Sequence, residues 1–204
     1  MRAPELHAIE VEGMTRSAFI LRGALAVGAA YGGGAVAPFV SRAFGQGSQG
    51  DVEILTFALS LERMEQAFYE AAVKNAKLRG ELKQLATNFG AQEAEHVDAL
   101  EATIEQFGGK PGEAPQFKFE VSDEGSFLEL GVALEDTGVG AYNGAAPKID
   151  TPDIISAVGA IVQVEARHAA ALRMRADQDP APAAFDSALT QAQAEAAAKK
   201  AGAG

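Results

Sequence analysis

Two Glu-x-x-His motifs constrain this chain more than any other feature: Glu93-Ala94-Glu95-His96 and Glu165-Ala166-Arg167-His168. On a helix, positions three apart share a face, so each motif presents one carboxylate and one imidazole to a common point. Of the three histidines, two stand in these motifs, and His7 falls in a leader-like segment. Two such helices, with one glutamate from each of two others, supply the ligand set of a dinuclear metal site inside a four-helix bundle.

The rest of the sequence predicts the helices such a site needs. Asp51 is placed to cap a helix over residues 52–77, with Leu55, Ala58, Leu59, Glu62, Gln66 and Tyr69 on one stripe. Leu78-Arg79-Gly80 breaks it, and a second helix over residues 81–106 ends at Gly108-Gly109. Pro111 and Pro115 mark a long crossover, with a short extended run at Gln116–Val121. Ser126, with Glu129 three residues on, reads as a capping box for a third helix over residues 127–146. Thr151-Pro152 starts a fourth helix that runs to residue 176, with proline at its first position. Residues 177–204 form an Ala-rich tail with a short helix over residues 184–199. The expected fold is all-α: two antiparallel hairpins joined by a long crossover, spanning residues 51–176.

Register supports the site independently. Glu62 and Glu93 are 31 residues apart, with their midpoint at the Leu78-Arg79-Gly80 turn. Glu135 and Glu165 are 30 apart, with their midpoint at Asp150-Thr151-Pro152. Residues equidistant from a hairpin turn lie at one height on neighbouring helices, here about 20 Å from the turn. The halves also repeat: a shift of 72 or 73 residues takes Glu62 to Glu135, Tyr69 to Tyr142, Glu93 to Glu165 and His96 to His168. A duplicated hairpin of this kind builds a symmetric two-metal site.

The ligand candidates are therefore Glu62, Glu93, His96, Glu135, Glu165 and His168. Glu93 and Glu165 are placed to bridge two ions, and Glu62 and Glu135 to cap one each. Glu65 competes with Glu62, Asp136 with Glu135, and Glu95 with Glu93. Tyr69 and Tyr142 lie two turns from the lone glutamates, as hydrogen-bond donors to the ligands, redox-active phenols or core aromatics. Carboxylates and imidazoles suit two divalent ions, iron or manganese. Gly138 and Gly140 each weaken the third helix by about 1 kcal/mol relative to Ala, which calls for a channel, a distorted turn or close packing.

Composition narrows the partners. A net charge of −11 disfavours nucleic acid. With no cysteine, iron–sulfur and thiolate zinc sites are excluded. Residues 1–50 read as an export signal and linker: Arg16 and Arg22 precede a small, Gly-rich stretch, Gly23–Ser41, broken by Pro38. It suits a secretory segment better than a stable membrane span. Thr15-Arg16-Ser17-Ala18-Phe19-Ile20 is similar to a twin-arginine signal, with Ser17 where a second arginine would stand. The expected destination is the periplasm, cell envelope or medium.

The phrases LTFALSLERMEQAFYEAAV, AQEAEHVDALEATI, ALEDTGVGAYNGAAP and GAIVQVEARHAAALR resemble the ferritin-like superfamily over residues 51–176. They look like the exported bacterial ferritin-like domain proteins, the group related to plant desiccation-related proteins. That resemblance implies a di-iron or di-manganese bundle. It leaves two functions open. One is a redox protein acting on O₂ or H₂O₂, of ferroxidase, peroxidase or manganese-catalase type. The other is a non-enzymatic, exported stress-protective protein with a structural or vestigial metal site. A homo-oligomer stays open as well.

Overall fold

The computed structural model describes residues 49–201. The leader-like segment, including Gly23–Ser41 and the twin-arginine-like stretch, lies outside them, as do residues 202–204. Among the described residues there are five α-helices: α1 (Gln49–Asn75), α2 (Gly80–Gln106), α3 (Glu124–Ala145), α4 (Pro152–Arg175) and α5 (Gln191–Lys200). A 3₁₀ turn, Ala146–Lys148, follows α3. Packing of α1 on α2, and of α3 on α4, makes two hairpins; α1 also meets α3, and α5 packs on α3. The result is a four-helix bundle with a short C-terminal helix. No helix among the described residues is long and apolar enough to cross a membrane.

Three helix starts differ from the sequence reading, for a physical reason in each case; α5 begins at Gln191 rather than 184 because Thr190 caps it, its side chain accepting the Gln193 N–H. α1 begins at Gln49, so Asp51 stands in its first turn. Its buried carboxylate accepts from the Asp150 backbone N–H at 2.9 Å and from Thr151 Oγ1 at 2.6 Å. Asp51 thus ties the start of α1 to the turn entering α4, and the Thr151 hydroxyl makes no cap bond to its own helix. α3 begins earlier than expected because Asp123, not Ser126, is its N-cap. Asp123 Oδ1 accepts the Ser126 N–H at 2.8 Å, and Ser126 Oγ returns a bond to the Asp123 N–H at 3.2 Å. Ser126 closes the capping box from its third position, where Glu or Gln is more usual.

The crossover is pinned to α1 by Arg63, which donates to the carbonyls of Pro111 and Gly112 and to Glu101 at 2.7 Å. Gln116–Val121 forms no strand. Phe117, Phe119 and Val121 turn inward against the core while their neighbours are exposed, an alternation of extended chain. The tail closes on α3: the Leu189 N–H donates to the Gly140 carbonyl at 2.8 Å. A methyl group on Gly144 would lie 1.8 Å from the Leu189 carbonyl oxygen, so only glycine lets the tail cross there.

The apolar core is in two parts. One centres on Phe68, Phe127, Leu134 and Leu172, the other on Leu55, Leu59, Ile104, Ile154 and Val158. On α1, α2 and α4, the buried glutamates stand at the changeover from one part to the other. A layer of buried carboxylates therefore crosses the bundle between two apolar halves.

Candidate metal centre

Glu62, Glu93, Glu135 and Glu165 are each 0 % exposed. Burying four carboxylates together is unfavourable unless cations or protons compensate them. Each reaches this layer on the inward stripe of its own helix, at the heights that the two hairpin turns set. His96 and His168 follow one turn after Glu93 and Glu165.

The six predicted residues form two overlapping groups whose ligand atoms lie within 4.8 Å of one another. Glu62, Glu93, His96 and Glu165 make the first; Glu93, Glu135, Glu165 and His168 make the second. Glu93 and Glu165 belong to both, where bridging ligands would stand. Glu62 and Glu135 belong to one each, where terminal ligands would stand. Of the three competitors, Glu95 is exposed, and Asp136 turns outward to Arg173 at 2.5 Å. Glu65 is buried alongside Glu62, so those two positions are not alternatives.

Donor atoms converge, and hydrogen bonds within the cluster satisfy only some of them: His96 Nδ1 bonds to Glu62 and Glu93. His96 Nδ1 lies 3.0 Å from Glu62 Oε2, 3.1 Å from Glu93 Oε2 and 3.0 Å from Glu165 Oε1. His168 Nδ1 lies 2.9 Å from Glu93 Oε1, yet neither atom has a hydrogen-bond partner. Glu135 Oε2 and both Glu165 oxygens are buried and unpaired as well. The other His168 nitrogen, Nε2, donates to Gln92 Oε1 at 2.6 Å, which leaves Nδ1 facing the carboxylates. Phe89 stacks on the same ring at 3.9 Å between centroids.

Electrostatics point the same way. Burial, and then neighbouring carboxylates, push the Glu62 and Glu135 carboxyls well above the ordinary range, and Glu165 follows for the same reasons. Burial also pushes on Glu93, but the His168 and His96 rings beside it outweigh that and lower this carboxyl to about 2. Burial opposes a proton on His96, yet Glu165, Glu62 and Glu93 around it raise its pKa far above that of a free imidazole. The cluster thus draws positive charge to its centre.

Tyr69 and Tyr142 cross between the hairpins. The Tyr69 hydroxyl donates to Glu135 Oε1, and the Tyr142 hydroxyl donates to Glu62 Oε1. Burial, then the charges of Glu135 and of Glu62 respectively, hold both phenols well above their ordinary value, so they remain donors. Each hairpin's tyrosine therefore orients the other hairpin's lone glutamate.

Sequence reasoning missed Gln92 and Phe89. Both sit on α2 while their target, His168, sits on α4, so no local spacing joins them. The internal repeat gives no help either, since Val164 occupies the position equivalent to Gln92. His96 therefore has no matching amide, and the half-sites are not equivalent.

The family model for the ferritin-like domain matches residues 50–178. The chain belongs to the ferritin-like domain family. Its fold is also similar to a solved structure, that of a conserved hypothetical protein from Mycobacterium tuberculosis. There the identity is 18%, the TM-score 0.57, and the match covers 63% of this chain and 98% of that one. No curated protein matches the chain. The buried carboxylate and histidine cluster is a group that could hold metal.

Proposed function

We propose that this protein holds two divalent ions, iron or manganese, between Glu62, Glu93, His96, Glu135, Glu165 and His168, and uses them in redox chemistry with O₂ or H₂O₂. The observation that carries this reading is the convergence of buried, unpaired donor atoms: Glu93 Oε1, Glu135 Oε2, both Glu165 oxygens and His168 Nδ1. Hydrogen-bonded side chains would leave no such set, whereas metal ligands without their metal would. Four carboxylates also neutralise two divalent ions, which permits burial.

Held between these six residues, two such ions would supply paired one-electron steps or Lewis acidity. The chain supplies the rest. Gln92 selects the His168 tautomer and fixes its ring. Tyr69 and Tyr142 hold Glu135 and Glu62 by one oxygen each. The apolar halves on either side exclude bulk water, and the 12 % exposed side chain of His96 marks the more open flank.

A second reading is a non-enzymatic, exported, stress-protective protein with a structural metal site. The depth of the four glutamates favours it, because such a site is hard to reach from solvent. Export itself is a proposal resting on residues 1–50.

Metal content of protein purified from its own host, followed by peroxide and O₂ consumption, decides between them. Close to two iron or manganese ions per chain with turnover supports the redox reading. Two ions without turnover, in either metal, supports the protective one. Protein that takes up neither metal overturns both.

A further inference from the structure

Glu65 is 1 % exposed, and neither of its carboxylate oxygens has a hydrogen-bond partner. It belongs to neither four-residue group of ligand candidates, and among the described residues no arginine, lysine or histidine balances it in an ion pair. A leucine here would simply extend the core. Something else must account for an acid at this position.

Symmetry locates it. The shift of 73 residues that takes Glu62 to Glu135 and Tyr69 to Tyr142 takes Glu65 to Gly138. The two tyrosine bonds fix the antiparallel register of α1 and α3, pairing residue 62 with 142 and 69 with 135. Positions 65 and 138 meet at the centre of that register. A methyl group on Gly138 would lie 2.8 Å from Glu65 Oε1. One half of the repeat thus carries a carboxylate at the axis, and the other carries the space that receives it. Glu65 feels the charges of Glu165, Glu135, Glu62 and Glu93, two from each hairpin.

The two sides of the centre are unlike. α2 and α4 supply both shared carboxylates and both imidazoles. α1 and α3 supply one terminal carboxylate each and, midway between them, Glu65.

We propose that Glu65 is a seventh protein ligand of the centre, a carboxylate offered from the α1/α3 side in the space left by Gly138. The proposal rests on the dinuclear reading above. A fifth carboxylate brings one more negative charge than two divalent ions balance. It therefore favours a centre with one trivalent ion.

The test is a titration of the metal-free full chain with manganese(II), read by calorimetry and by electron paramagnetic resonance of the ion pair, in wild type, E65Q and G138A. Glutamine keeps the size of Glu65 but is a poor ligand for these ions. Alanine at 138 leaves Glu65 in place chemically and pushes its carboxylate off the axis. Expected are two ions in wild type, at least about tenfold weaker binding of the second ion in both variants, and loss or change of the spin-coupled signal. Melting temperatures of the metal-free variants should equal or exceed that of wild type. Two ions bound by E65Q with wild-type affinity and an unchanged coupled signal overturn the proposal while leaving the dinuclear reading intact. Wild type binding fewer than two ions overturns the dinuclear reading, and the proposal with it. If E65Q does not fold, G138A decides alone: unchanged affinity and signal there overturn the proposal.

Discussion

Stripping the metal from the full chain should lower its melting temperature strongly at neutral pH and much less in mild acid. A ligand that binds only the folded state stabilises by about 2.7 kcal/mol when its free concentration is about a hundred times its Kd. Two ions then contribute about 5 kcal/mol. For a domain of this size, each kcal/mol moves the melting temperature by about 2–4 °C, so the expected drop near pH 7.5 is about 10–20 °C. The pH dependence follows from the charges left behind. Glu62, Glu135 and Glu165 have raised carboxyls, so the metal-free fold keeps protons that the unfolded chain releases above its ordinary value of 4.5. Their contribution is fully present below 4.5 and is lost as pH rises through the folded values. His96 is also raised, so its contribution is full below 6.5 and declines above it. Glu93 runs the other way: lowered from 4.5 to about 2, it contributes above 4.5 and loses that contribution as pH falls toward about 2. Between about pH 5 and pH 7.5 the raised groups dominate, and the metal-free protein is more stable at the lower value. Protons also compete with metal for the ligands there. Differential scanning calorimetry of loaded and chelated protein at both pH values measures the effect. A melting temperature unchanged at pH 7.5 after verified metal removal, or a larger drop at pH 5, would refute the reasoning.

Other predictions concern single side chains. Replacing Gln92 with leucine removes the partner of His168 Nε2 and should weaken manganese(II) binding by about 10–100-fold, measured by calorimetry, with helicity retained. Replacement of either His96 or His168 with alanine should abolish most turnover, and the double variant should cost little more than either one, since residues acting as a unit are not additive; steady-state peroxide consumption per metal checks this. Tyr69→Phe leaves Glu135 Oε1 without its donor and should destabilise the metal-free fold by about 1–3 kcal/mol, read from urea unfolding at neutral pH. Asp51→Ala breaks the bonds to Asp150 and Thr151 and should cost about 3–6 kcal/mol for two bonds to a charged acceptor, read the same way.

Sequence alone determined the skeleton of this protein. Periodicity, breakers and turn midpoints set four helices and the heights at which Glu62, Glu93, Glu135 and Glu165 stand, because both helix phase and hairpin register are properties of spacing along the chain. Local chemistry was legible to within a few residues: Thr151-Pro152 opens α4 as read, while α3 starts at Asp123 rather than Ser126, since two capping residues three apart compete and only packing chooses. What tertiary structure decided are contacts between elements that no local pattern links. Tyr69 bonds to Glu135 and Tyr142 to Glu62, each across the hairpins. Gln92 reaches from α2 to His168 on α4. Asp51, read as a cap for its own helix, serves the turn before α4 instead, about a hundred residues away along the chain. Gly138 and Gly140 looked like weak points in a helix that called for a channel, a distorted turn or close packing; the bundle uses them to admit Glu65 and Leu189. A buried acid and the glycine that makes room for it carry no joint signal in the sequence, because their proximity is set by the register of α1 against α3 and by nothing shorter in range.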